Sequence, residues 1–369
     1  MHVRWLELVG FRNYASLSFA PDPGLNVLIG GNGQGKTSLL EALHLLLAGR
    51  SFRTTRLADC IGWDAREARI AGEIEHGRGR RAIRVRVQAE GRLEADGGLC
   101  PWARVVTFAS SDLSLLTGPP QARRTYLDGA TAKLIPAHAE KCRRYRLLLH
   151  QRGRLLLQLG GRADGERLLA PWDEQVATLG SEIAHRRIET LEALGKDAGE
   201  IWRALAPEGR SLDLVYVPTR APGADRAATA ASLLEALTAS RAAEIRRGMT
   251  LVGPHRDDLV VRLGRMDARS YASRGEQRVI VLTLRLAEAA SVGRRLGAPP
   301  VLLLDDVLSE LDLEARERVL LWLQAQGQTL LSTTDAAALP RAVAASWDVR
   351  DGAVGGGAMA DAIVAGGAA

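Results

Sequence analysis

One run constrains this chain more than any other: Gly30-Gly31-Asn32-Gly33-Gln34-Gly35-Lys36-Thr37. It follows a compact apolar segment at 25–29 and opens a helix-forming stretch at 37–47 that stops at Gly49. Strand, glycine loop and helix in that order make a P-loop. The glycines let successive backbone N–H groups face one anion, and the helix points its positive end at the same spot. Lys36 adds a cation for the β- and γ-phosphates, and the Thr37 hydroxyl is a ligand for Mg²⁺. Residues 30–37 are therefore the candidate nucleotide-binding loop.

A P-loop nucleotidase also needs a carboxylate on a neighbouring strand. Val301-Leu302-Leu303-Leu304-Asp305-Asp306 supplies one. Alone, such a run is an ordinary capped strand; beside a P-loop it becomes a candidate metal site. Asp305 is expected to hold Mg²⁺ with Thr37, and Asp306 to orient or deprotonate the attacking water. Side chains of adjacent strand residues point to opposite faces, which would separate the two tasks. Lys36 and Asp306 are the candidate catalytic residues.

The chain has 369 residues, 46% apolar and 25% charged, enough for two or three structural units. No segment has the run of 18 or more apolar residues that crosses a membrane. Glu7 stands where a signal peptide would begin its apolar core. Cys60, Cys100 and Cys142 match neither a zinc pattern nor a disulfide framework and suit a reducing cytoplasm. The net charge is +6, and residues 120–250 hold 21 basic and 16 acidic side chains. That excess favours an anionic partner.

Along the chain, short strands are expected at 3–9, 16–19 and 25–29, and a meander at 68–74, 82–87 and 104–108. From 122 to 205 the apolar spacing turns helical. Pro222-Gly223-Ala224-Asp225 and the Ala/Thr run after it read as a linker. Strands follow at 251–252, 259–263, 301–304 and 329–332, with helices at 275–292 and 313–325. The Gly/Ala-rich end from Gly352 reads as a mobile tail. The expected organisation is a nucleotide-binding part at 1–120, a helical lobe at 121–245, a second nucleotide-binding part at 246–351, and a tail at 352–369. The fold class is α/β, with mixed sheets, helices and an inserted, mainly helical second lobe.

Two further pieces narrow the class. Ala272-Ser273-Arg274-Gly275-Glu276 opens a helix about 30 residues before Asp305 and resembles the signature loop of ABC-type ATPases. Ser309-Glu310-Leu311-Asp312 sits where that class carries its D-loop. In such proteins the P-loop and signature loop of one chain cannot complete each other's site, so an ATP-dependent homodimer is expected.

Through nearly its whole length the sequence is similar to the RecF family, relatives of the Rad50 and SMC heads. The resemblance rests on Phe11-Arg12-Asn13-Tyr14, the P-loop, Leu40-Glu41-Ala42-Leu43 and Ser51-Phe52-Arg53. It continues through Arg123-Arg124-Thr125-Tyr126-Leu127-Asp128, Gln151-Arg152, Trp172-Asp173 and Gly253-Pro254-His255-Arg256-Asp257-Asp258. General ABC ATPases lack that last run. The resemblance implies an ABC-type ATPase head binding ATP and Mg²⁺, with Arg12, Ser273, Gly275 and Glu276 added to the nucleotide-contacting set. It implies binding at single-strand/double-strand DNA junctions, and work with RecR and RecO in loading RecA. The signature loop with Arg274 in place of a glycine also resembles this family. Departures are Ser110-Ser111-Asp112 near the expected Q-loop, Gly153 in place of Asn, and Thr333-Thr334 in the switch-histidine region. The interval between Lys36 and Asp305 holds no long heptad run, so the insertion is a short arm.

The alternative reading is an ATPase subunit of a transporter or nuclease complex. His255, Asp257 and Asp258 suggest a metal cluster, but a salt-bridged turn near the nucleotide is the simpler reading. The basic runs Arg78-Gly79-Arg80-Arg81, Arg143-Arg144-Tyr145-Arg146 and Arg186-Arg187 are solvated faces or phosphate contacts. No base-reading motif is present.

Overall fold

The structure, a computed structural model, describes residues 1–77, 79–96, 98–100, 102–159, 165–206, 209–309, 311–335 and 345–356. The chain divides into two units: residues 1–113, 200–209 and 273–369, and residues 114–199 and 210–272. The second unit therefore opens at Ser114 and keeps residues through Ala272, where the sequence suggested 121 and 245.

The first unit holds two sheets. One is antiparallel, in the order β2 (Tyr14–Phe19), β1 (His2–Phe11), β4 (Ala68–His76), β5 (Gly79–Val87), β6 (Leu93–Asp96). Its strands alternate: Ile83, Val85 and Val87 are buried while Arg84 and Arg86 face water, as a sheet with one solvated face requires. The other sheet runs β14 (Ala353–Gly356), β13 (Ala345–Arg350), β3 (Leu25–Ile29), β12 (Thr329–Thr333), β11 (Val301–Leu304), β7 (Val105–Phe108). All its pairings are parallel except β13 with β14. Its strands β3, β12 and β11 are buried along nearly their whole length because both faces are covered. Helix α1 (Lys36–Ala48) touches strands of both sheets and is buried at 11 of its 13 positions. Helices α8 (Arg274–Leu296) and α9 (Leu313–Gln324) complete the unit.

The second unit is mainly helical: α2 (Ser114–Thr117), α3 (Pro120–Leu134), α4 (Ala137–Gln158), most of α5 (Gly165–Leu205), α6 (Arg226–Arg247) and α7 (Ala268–Tyr271). It also carries a small sheet of β8 (Leu212–Val217), β9 (Asp258–Leu263) and β10 (Met266–Asp267).

Several expectations need correction. The meander is two strands plus β6; β7 pairs parallel with β11 in the other sheet. A strand's partner depends on distant chain, which local alternation does not encode. The supposed linker after Pro222 is the 22-residue α6. Alanine is the best helix former, and the Asp225 side chain caps the Ala228 N–H at 2.7 Å. Leu251-Val252 is not a strand. The segment from Gly352 is not all tail: β14 pairs with β13, while residues 357–369 lie outside the described residues.

Candidate functional site

The P-loop leaves β3 and enters α1 inside the first unit. Gly35 sits at φ 116°, and a Cβ there would come within 2.7 Å of Asn13 Nδ2 and 2.8 Å of the Tyr14 hydroxyl. Those two side chains are the loop's props. Asn13 Nδ2 donates to the Gln34 carbonyl at 3.1 Å, and the Tyr14 hydroxyl to the Gly35 carbonyl at 3.0 Å. From the other end of the chain, the Asp351 N–H donates to Gln34 Oε1 at 2.6 Å and the Gly352 N–H to the Gln34 carbonyl at 3.2 Å. A Cβ on Gly30 would meet the Val349 carbonyl oxygen at 2.2 Å, so only glycine lets β13 lie this close. No side chain caps the first turn of α1. Its N–H groups remain for an anion.

Lys36 is buried, with Nζ donating to the Gly30 and Gly31 carbonyls at 2.6 and 2.7 Å. Burial lowers its pKa, against the opposing pull of Asp305 and Asp306. The Thr37 hydroxyl lies 2.9 and 3.0 Å from the two Asp305 carboxylate oxygens. Ser332, on β12, donates to Asp305 Oδ1 at 2.7 Å and accepts the Asp306 N–H at 2.9 Å. Asp306 has φ 52°, strained for a residue with a Cβ. Its carbonyl accepts from Arg278 Nη2 and Ser309 Oγ, each at 3.1 Å. The strand ends at Leu304, so alternation does not separate the two acids. Both line one cavity of about 880 Å³ with Asn32, Gly33, Gln34, Gly35, Lys36 and Thr37. Gly30 and Gly31 enter only through their carbonyls on Lys36.

Arg12 also lines this cavity, but its guanidinium is engaged. Nε and Nη2 make a paired contact with the Glu41 carboxylate at 2.9 and 2.8 Å, and Nη1 donates to the Asp59 carbonyl. Glu41 has no exposed surface and also receives Ser51 and Arg53. Burial alone would raise its pKa; the hydrogen bonds from Arg12 and Ser51 outweigh that and hold it below the usual range. Cys60 lies against the same carboxylate, and burial together with Glu41 pushes its thiol up to about 12. It is an inert thiol.

The family described as RecF/RecN/SMC N terminal domain matches residues 2–347. The DNA replication and repair protein RecF of Synechococcus sp. (strain JA-3-3Ab) is 39% identical over 351 residues, 90% of this chain and 91% of that one. The chain belongs to the RecF family. A second RecF, from Symbiobacterium thermophilum, is 39% identical over 348 residues, covering 91% of this chain and 92% of its own. A solved recombination mediator protein RecF with ATP, in the RecFOR pathway, matches with a TM-score of 0.84. It is 26% identical and covers 96% of this chain and 97% of that one. An Smc head bound to a domain of ScpA matches at TM-score 0.56 and 17% identity, a likeness of fold alone.

The other segments that carried the RecF resemblance fall elsewhere. Ser273 and Glu276 form a reciprocal capping box at the start of α8. Neither they nor Gly275 line the P-loop cavity of their own chain. Of the D-loop run, Glu310 lies outside the described residues; Asp312 caps α9 through the Ala315 N–H. His255, Asp257 and Asp258 form no metal cluster: the His255 ring meets the Tyr145 hydroxyl and Thr250 carbonyl, Asp257 accepts from Tyr216 and Thr219, and Asp258 pairs with Arg123. None lines the P-loop cavity, so the turn is salt-bridged but not part of that site. Arg187 is buried against Asp128, which removes it as a DNA contact; Arg80 and Arg143 pair with Glu75 and Glu140, and Arg78 lies outside the described residues.

Asn13, Tyr14, Glu41, Ser332 and Arg278 carry no P-loop motif and were missed as supports. The first three sit in runs that marked the family. Ser332 and Arg278 gave no local signal, because their partners lie 26 to 28 residues away.

Proposed function

We propose that this protein is an ATP-switched DNA-binding dimer of replication and recombinational repair. The carrying observation is the asymmetry of the site: Lys36, Thr37, Asp305 and Asp306 share one cavity, while Ser273 and Gly275 of the same chain line none of it. A second copy's α8 N-terminus would complete the site over the γ-phosphate. The first unit would then be the ATPase head and the second a short helical arm.

The α1 N-terminus and loop N–H groups would bind the phosphates, with Lys36 leaving its own loop's carbonyls for the β/γ-phosphate oxygens. Thr37 and Asp305, two hard oxygen donors already in contact, suit Mg²⁺ and would hold it. Bound there, Mg²⁺ would neutralise charge on the β- and γ-phosphates. Asp306 would orient or deprotonate the water, with Ser332, Ser309 and Arg278 fixing its backbone. An aspartate in place of glutamate shortens the reach by about 1.5 Å, and misplacement of about 1 Å can cost about 100-fold. Turnover is therefore slow, as suits a switch that stays on DNA. The excess of basic residues between 120 and 250 supports phosphate-dominated binding. The resemblance supports single-strand/double-strand junctions as the target and RecO, RecR and RecA as partners.

Sedimentation with and without ATP and gapped DNA tests this. The wild type should dimerise with Mg²⁺–ATP. Lys36→Met should bind no ATP and stay monomeric, and Ser273→Arg should bind ATP yet stay monomeric. An ATP-dependent dimer in the Ser273→Arg variant would remove α8 from the dimer contact.

A further inference from the structure

The cavity has a side that phosphate chemistry does not use. Besides the glycine loop and the acids, the cavity is lined by Ala58, Asp59, Ile61, Gly62 and Trp63. Trp63 is the most exposed large apolar side chain among the described residues, with a relative exposure of 102%. Its segment is nonetheless pinned. The Arg12 N–H donates to the Cys60 carbonyl and the Gly62 N–H to the Gly10 carbonyl, each at 2.8 Å, and Phe11 pairs with Ile61 in an isolated bridge. A Cβ on Gly62 would stand 2.9 Å from the Arg12 carbonyl oxygen. The same strand end continues into Asn13 and Tyr14, which hold the P-loop. A hydrogen-bonded backbone thus presents an exposed indole along the cavity that holds the phosphate loop.

We infer that Trp63 is the base-stacking platform of this site, its indole packing on the nucleobase of a nucleoside triphosphate whose phosphates lie on residues 30–37. The inference rests on the nucleotide-binding reading above. One exposed aromatic alone is unremarkable on a protein surface. That it lines the same cavity as Lys36 and Thr37 makes the difference. A phosphate chain anchored at the loop brings a planar, apolar base to the remaining wall, and a tryptophan face is the strongest partner that wall offers. Stacking tolerates any base, so Trp63 provides affinity for the base as such and not the choice of adenine over guanine.

The test is calorimetric titration of wild type, Trp63→Ala and Trp63→Phe with ATP, GTP and inorganic tripolyphosphate, all with Mg²⁺. Being fully exposed, Trp63 can be replaced without loss of folding. Base–aromatic stacking of this kind is worth about 10-fold in affinity. Trp63→Ala should weaken ATP and GTP by that factor and leave tripolyphosphate unchanged, and Trp63→Phe should recover most of the loss. ATP should quench the wild-type tryptophan fluorescence, tripolyphosphate should not, and Trp63→Ala should lose the response. Unchanged ATP affinity in Trp63→Ala, or equal weakening of ATP and tripolyphosphate, overturns the inference. So does unchanged ATP affinity with loss of the dimer or of DNA binding, which would give Trp63 to a macromolecular partner. Failure of the wild type to bind either ATP or tripolyphosphate would instead bring down the nucleotide reading itself.

Discussion

Replacing Arg152 by methionine should destabilise the second unit by about 4 kcal/mol. Arg152 has no exposed surface. Its Nε and Nη2 donate to Asp173 Oδ1 at 2.8 and 2.6 Å, Nη2 also to Glu244 Oε2 at 2.7 Å, and Nη1 to Thr250 Oγ1 at 2.8 Å. Methionine keeps much of the stem and none of these bonds. Asp173 retains Arg241 at 2.8 Å, and Glu244 retains the Leu251 N–H at 2.8 Å. Two carboxylates without exposed surface would then lose the cation they share. Removing one partner of a buried pair costs about 3–5 kcal/mol, whereas an exposed pair such as Arg220–Glu235 is worth about 0–1 kcal/mol. At about 2–4 °C per kcal/mol for domains of 150–250 residues, the midpoint should fall by about 8–16 °C. Calorimetric unfolding of wild type, Arg152→Met and Arg152→Met/Glu244→Gln would measure this, with the double variant recovering about half the loss. ATP affinity should not change, since none of these residues lines the P-loop cavity. A single-variant loss below about 1 kcal/mol, or a double variant no more stable than the single, would refute the charge argument.

Two other predictions concern chemistry and pH. In single-turnover assays Asp306→Asn should nearly stop hydrolysis while ATP-dependent dimers persist, and Asp305→Asn should weaken Mg²⁺–ATP binding itself; wild-type hydrolysis in Asp306→Asn would place the base elsewhere. Burial pushes the His255 ring down to about 4 from its ordinary 6.5, the Thr250 carbonyl pulling the other way. Between those two values the unfolded chain takes a proton that the folded one refuses. Stability should therefore fall as pH drops from 6.5 towards 4, by up to about 3 kcal/mol at about 1.4 kcal/mol per unit. His255→Gln should flatten that part of the pH–stability curve, and an unchanged curve would assign the acid loss to other groups.

The P-loop, the acids after β11 and the helix at the signature loop were legible in the sequence. Each is a local pattern: a glycine spacing, an apolar run that stops, an N-cap with its partner three residues on. Local physics also explains α8 and α9, whose N-caps lie within one segment. Pairing was not legible. That β7 joins β11 rather than β5, and that β13 and β14 reach the P-loop, depends on contacts between residues hundreds of positions apart, such as Asp351 on Gln34. Alternation in a strand states which face is buried but not against which neighbour. Charge pairing was not legible for the same reason. Arg187 sits in a basic run of the sequence, and only folding buries it against Asp128, as it sets Arg12 against the buried Glu41. Asp305 and Asp306 were found by sequence, but their shared cavity arises because the strand stops at Leu304 and Asp306 turns to positive φ, held there by Ser332 and Arg278 from elsewhere in the chain. The residue types able to bind a nucleotide are written locally; how they face one another is decided by long-range hydrogen bonds and burial, which no short window of sequence contains.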